Sequence, residues 1–212
     1  MSHHFQHDGH GRLGKIIISE EDLQERVKEL GEQITRDYEG REPLLITVLK
    51  GASIFMADLA RAIRLPIELD FMAVSSYGAA TKTSGVVRII KDLDIDLHGR
   101  DVIIVEDVID SGLTLNYLRR TLEARQPASL EVCSLTVKEG AQRVAPNFRY
   151  VGFKIPTDFI VGYGLDVAEK YRNLPYICMY EEKAGDQQSL VLDDVATAST
   201  PAEPTRPVSS EG

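Results

Sequence analysis

The run VIIVEDVIDSGLT, residues 102–114, constrains this chain more than any other segment. Val102, Ile103, Ile104 and Val105 are consecutive β-branched residues with no polar alternation. Such a strand is covered on both faces, as in the centre of a parallel sheet. The chain then changes character within one residue. Glu106 and Asp107 follow the apolar run, Asp110, Ser111 and Gly112 make a short polar loop, and the spacing predicts a helix over 114–125. In open α/β sheets, ligands bind beyond the carboxyl ends of the strands, so a site is expected here.

The residue types in that loop narrow the ligand. The backbone N–H groups of Asp110, Ser111, Gly112, Leu113 and Thr114, with the two hydroxyls, form an anion cradle at a positive helix end. Gly112 lets the backbone approach the anion closely. A loop made only for polyphosphate has no use for two carboxylates beside it. Glu106 and Asp107 suit a sugar diol or a metal ion, and a 5-phosphorylated ribose satisfies both halves. The chain contains neither G-x-x-x-x-G-K-[ST] nor G-x-G-x-x-G, which removes the usual signatures of nucleotide hydrolysis and dinucleotide binding. A lone Asp-x-x-Asp-Ser-Gly reads as an ordinary capped helix; the full run behind a buried strand does not.

The remaining pattern alternates strands and helices. Ser19 with Asp22 marks a helix start, Leu23, Val27, Leu30, Ile34 and Tyr38 line one face, and Gly40 ends it. Strands are expected at 44–49, 67–76, 86–90, 102–105, 130–137, 150–153 and 177–180, with a second helix ending near Ala62. This order predicts an α/β fold, a mostly parallel twisted sheet flanked by helices. Residues 1–14, with His3, His4, His7 and His10, read as a disordered leader, and 183–212, rich in Ala, Ser, Thr, Pro and Glu, as a disordered tail. One domain is expected between them, at 15–182.

A net charge of −9 argues against broad nucleic-acid binding, which needs a basic surface. Cys133 and Cys178 sit in apolar strand runs without CxxC or metal spacing, and read as buried free thiols. With no apolar stretch long enough to span a bilayer and no signal segment, a cytoplasmic location is expected.

Residues 102–114 resemble the phosphoribosyl pyrophosphate (PRPP) motif of the type I phosphoribosyltransferases, and more narrowly that of their hypoxanthine-guanine (6-oxopurine) branch. The likeness covers residues 15–182 and recurs elsewhere. It implies the family fold, with a small hood formed by the N- and C-terminal segments of the domain. Leu49-Lys50-Gly51-Ala52 resembles the pyrophosphate loop, in which the peptide entering the lysine is often cis. Ser75-Ser76-Tyr77 resembles the opening of a lid over residues 77–85, implying roles for Ser76 and Tyr77 in closing the site. Phe159-Ile160-Val161-Gly162-Tyr163-Gly164-Leu165-Asp166, followed by Arg172, resembles the family's purine-site block.

By resemblance, Phe159 stacks on the purine, the Ile160 backbone reads its edge, Lys138 meets its O6, and Asp166 lies near Mg²⁺. Arg172 joins Lys50 and Gly51 on pyrophosphate, and Asp110 is the general base. Glu106, Asp107 and Asp166 are the residues expected beside the metal. The implied reaction joins hypoxanthine or guanine to the ribose of PRPP, giving IMP or GMP and pyrophosphate, in a homodimer or homotetramer. Two departures stand out: Val167 replaces a tyrosine common in relatives, and Asp158 stands where some have lysine. Xanthine use stays open, and so does a PRPP-sensing regulator on the same fold, although such regulators bring a basic face or an added domain. Asp92, Asp94, Asp96 and His98 receive no role and read as a solvated acidic turn.

Overall fold

The computed structural model describes residues 11–77, 86–140 and 148–182. Three strands expected from the sequence form its centre: β2 (Leu44–Leu49), β5 (Asp101–Ile109) and β6 (Ser129–Lys138). With β3 (Glu68–Tyr77), β4 (Val86–Lys91) and β7 (Tyr150–Ile155) they make a six-stranded sheet in the order β4-β3-β2-β5-β6-β7. All pairs are parallel except β3–β4. Val102, Ile103, Ile104 and Val105 are all buried, which is why that run shows no alternation.

Helices cover both faces. Helix α1 (Glu20–Asp37) starts at Ser19, whose Oγ accepts the Asp22 N–H at 3.1 Å, with Glu20, Glu21 and Asp22 at its positive end. It buries Leu23, Val27, Leu30 and Ile34 against α2 (Ser53–Ala62) and one face of the sheet. Gly31 permits close approach: a Cβ there would stand 2.5 Å from Ala62 Cβ. Helix α3 (Leu113–Glu123) buries Leu115, Leu118 and Leu122 on the opposite face, among Val102, Ile104 and Val132. Each such side chain contributes about 1.5–3 kcal/mol.

A second, antiparallel sheet has the order β1-β9-β8, from β1 (Gly11–Ile18), β8 (Ile160–Val161) and β9 (Ile177–Glu182). It joins the two ends of the domain, as expected of a hood. Strand β1 corrects the sequence reading. Residues 11–14, assigned to a disordered leader, belong to it, with Gly11, Arg12 and Leu13 paired to Glu182, Glu181 and Tyr180. Gly11 and Gly14, with Arg12 and Lys15, make a weak strand signal in this first half of β1; the partner strand supplies the order. Arg12 Nε reaches Glu181 at 2.6 Å, and the Tyr180 ring fills the space a Gly11 side chain would take.

Strand β3 also runs one residue further than expected. Tyr77, placed in the lid by sequence, pairs with Val86. Residues 78–85, 1–10 and 183–212, which carry the rest of the lid, most of the leader and the tail, lie outside the described residues. The acidic turn is anchored rather than merely solvated: buried Asp70 accepts the N–H groups of Asp94 and Ile95, and Arg125 meets both Asp92 oxygens at 2.8 Å. Among the described residues, no helix is long and apolar enough to cross a membrane. Cys133 and Cys178 are free and buried.

Candidate active site

The chain leaves β2 through α2 toward β3, and leaves β5 through α3 toward β6, on the other side of the sheet. The carboxyl ends of β2 and β5 therefore flank a topological switch point. A cavity of about 670 Å³ lies there, with Lys50, Gly51, Asp107, Asp110 and Lys138 from the sheet edge, and Phe159, Ile160, Asp166 and Arg172 from the hood. A smaller cavity of about 220 Å³ is lined by Glu106, Asp110, Ser111, Gly112 and Thr114. Asp110 and Val108 line both. Most of the residues singled out in sequence thus gather around two adjoining spaces.

The smaller space is lined by residues of the loop expected to form the anion cradle. Gly112 is the N-cap of α3 with φ +76° and no side-chain capping bond, so the first turn presents its amides outward. Leu113, expected only to lend its amide, is the first helical residue; its N–H lies 3.5 Å from Ser111 Oγ. Glu106 faces this space while Asp107 faces the larger one, because neighbours on a strand alternate sides. The two carboxylates therefore do not stand side by side; they flank the join between the cavities. Burial first, then the charge of Asp107, pushes the Glu106 carboxyl up to about 8. Asp107 is also raised, mainly by burial, and the Val108 N–H and the Arg172 guanidinium partly offset this.

On the side of the larger cavity, three chain segments meet at glycines. The Leu49–Lys50 peptide is cis, as the resemblance implies. A Cβ on Gly51 would stand 2.0 Å from Asp107 Oδ2, and one on Gly164 (φ +102°) would stand 2.0 Å from the Gly51 carbonyl oxygen. Only glycines allow the hood, the Lys50 loop and Asp107 to stack this closely. Arg172 Nη1 donates to the Gly164 carbonyl at 2.8 Å, and its Nη2 lies 2.9 Å from Asp166 Oδ1. Glu169, which sequence reading passed over, sits between the cations: its Oε2 is 2.9 Å from Lys50 Nζ and 3.3 Å from Arg172 Nη2.

At the other end of the larger cavity, Lys138 closes β6 and places Nζ 3.2 Å from Asp110 Oδ2. The Phe159 ring is about half exposed and meets Tyr180 edge-on, centroids 6.1 Å apart. Ile160 is buried in β8. Ser76 and Tyr77 end β3 on the same sheet edge as Lys50, since β3 runs parallel to β2; their side chains lie outside the description.

Among the described residues no three His, Cys, Asp or Glu side chains converge on a metal position. Asp107 and Asp166 nonetheless line one cavity, with Glu106 in the next. Carboxylates gathered in this way fit a hard cation that draws most of its ligands from water and substrate.

The Phosphoribosyl transferase domain family model matches residues 19–168. The hypoxanthine-guanine phosphoribosyltransferase of Mycobacterium tuberculosis is 57% identical over 173 residues, covering 79% of this chain and 86% of that one. The Bacillus subtilis enzyme of the same name is 52% identical over 165 residues, covering 78% and 92%. A crystal structure of a hypoxanthine-guanine phosphoribosyltransferase from Bacillus anthracis is 50% identical, with a TM-score of 0.76 and coverage of 79% and 99%. A hypoxanthine phosphoribosyltransferase from Staphylococcus aureus gives 0.77 at 43% identity, with coverage of 80% and 92%. With family model, relatives and solved structures in agreement, the chain belongs to the hypoxanthine-guanine branch of the phosphoribosyltransferase family.

Proposed function

We propose that this chain is a purine-salvage enzyme that transfers the 5-phosphoribosyl group of PRPP to N9 of hypoxanthine or guanine, giving IMP or GMP and pyrophosphate. One observation carries the reading: a single cavity has a cationic corner at Lys50 and Arg172, an ammonium–carboxylate pair at Lys138 and Asp110, and a phosphate-type cradle adjoining it.

The base end supports a 6-oxopurine. O6 and N7 share one edge of such a base. Lys138, a donor without acceptor capacity, suits O6, while Asp110 beside it suits a proton on N7. The half-exposed Phe159 ring offers a stacking face. Asp110 serves as the general base as N9 attacks C1 of the ribose. Ser111, Gly112, Leu113 and Thr114 hold the 5-phosphate, and Glu106 and Asp107 receive the ribose hydroxyls from either side. Lys50, the Gly51 backbone and Arg172 take up charge on the departing pyrophosphate. The lid that opens at Ser76 and Tyr77 excludes water from the cationic C1 centre.

Mg²⁺ is the proposed cofactor: Asp107 and Asp166, with Glu106 nearby, would hold it, and when bound it supplies charge neutralisation for pyrophosphate and the ribose hydroxyls. The free thiols support a reducing, cytoplasmic location, and a homodimer or homotetramer rests on the resemblance.

The test is an assay of purified protein with Mg²⁺, PRPP and, separately, hypoxanthine, guanine, xanthine, adenine and uracil. The expected result is nucleotide from the first two and none from adenine or uracil; xanthine measures how strictly C2 is read. Nucleotide from no base, with PRPP bound, would favour a sensor and sink the enzyme reading.

A further inference from the structure

Glu169 belongs to no element of the proposed mechanism, yet it occupies the cationic corner. It lies on a tight hairpin in which Val167 and Lys170 exchange backbone hydrogen bonds at 3.3 and 3.0 Å. Both central residues have positive φ, Ala168 at 49° and Glu169 at 64°. This is the backbone of a type I′ turn, which normally selects Asn and Gly because side chains are strained there. The turn is fixed from below, since the Glu169 N–H donates to Asp166 Oδ2 at 2.8 Å. So held, one carboxylate oxygen reaches both Lys50 Nζ and Arg172 Nη2.

We propose that Glu169 is a positioning residue that stands in for a pyrophosphate oxygen, keeping Lys50 and Arg172 aligned between turnovers and weakening their hold on pyrophosphate. The inference rests on the reading of this corner as the pyrophosphate site and adds how its affinity is set. Without a ligand, Asp166 and Glu169 balance the charges of Arg172 and Lys50. A pyrophosphate entering the corner must displace the Glu169 carboxylate from the same two donors, so binding is a competition. The carboxylate is well exposed, at 64%, and can swing into water. Product release is eased by the same exchange in reverse.

Calorimetric titration of magnesium pyrophosphate into the wild type, Glu169→Gln and Glu169→Ala tests this, with GMP as a comparison ligand that bears no pyrophosphate. Both variants are expected to bind pyrophosphate about two- to fivefold more tightly, the range for exposed ion pairs, and GMP unchanged. KM for PRPP should fall in parallel without a rise in kcat. A merely structural role would loosen binding instead. If the wild type binds pyrophosphate and neither variant binds it more tightly, the inference is overturned while the site reading stands. Equal tightening of GMP would also overturn it, as a general charge effect. Failure of every form to bind pyrophosphate would overturn the site reading, and the inference with it.

Discussion

The loop of residues 110–114 and the corner made by Lys50, Gly51, Gly164 and Arg172 face adjoining spaces, but they are built differently. The loop is local: consecutive residues leave a buried strand and open a helix, and a Cβ on Gly112 would have open space around it. The corner is assembled: segments far apart in the chain meet where Gly164 touches Gly51 and Gly51 touches Asp107. Conformation decides Gly112, packing decides Gly51, and Gly164, at φ +102°, needs glycine on both counts. One half of the site is therefore written in a single run, while the other exists only once the hood has closed on the sheet.

Substitutions break or sharpen that contrast. Asp110 lines both spaces, so Asp110→Asn should cost most: a kcat reduction of about 10²–10⁴-fold, with PRPP affinity by calorimetry little changed. Unchanged turnover would remove it as the base. Gly164→Ala should follow, with a drop in kcat/KM of about 10²-fold, because its Cβ must push Gly51 aside and misplace Lys50. Gly112→Ala changes the other half at the same kind of backbone position but meets no neighbour. In the free protein it should cost only the left-handed strain, about 1–2 kcal/mol, read as a small fall in thermal midpoint. If Gly112→Ala lowered the thermal midpoint of the free protein more than Gly164→Ala does, the local-versus-assembled distinction would fail.

The remaining contrast concerns pH. Glu106 has a folded-state pKa near 8, above its unfolded value, so the folded protein holds a proton that the unfolded chain has released between roughly pH 4.5 and 8. Its contribution to stability is present below the unfolded pKa and is lost as pH rises through about 8. Glu106→Gln should therefore gain thermal midpoint relative to wild type as pH goes from 5 to 8.5. A constant difference across that range would show that Glu106 is not desolvated.

The same contrast explains what the sequence made legible. The strand, cradle and helix at 102–123 could be read because burial, loop chemistry and capping occur in chain order. The cis peptide and the hood were expected only through resemblance. The half of strand β1 at residues 11–14 was missed because its order comes from β9 rather than from its own residues. Glu169 was missed for a similar reason: nothing in Val167-Ala168-Glu169-Lys170 announces a type I′ turn, since neither Asn nor Gly is there. The separation of Glu106 and Asp107 into two spaces follows from strand alternation, but reading them as one pair concealed it.

A crystal structure with IMP and magnesium pyrophosphate bound tests the central claim most directly. The account places the 5-phosphate on the amides of residues 111–114, purine O6 on Lys138, and pyrophosphate against Lys50 and Arg172 in the place now held by Glu169. A nucleotide lying with its phosphate in the Lys50–Arg172 corner, or its base away from Lys138 and Phe159, would contradict it.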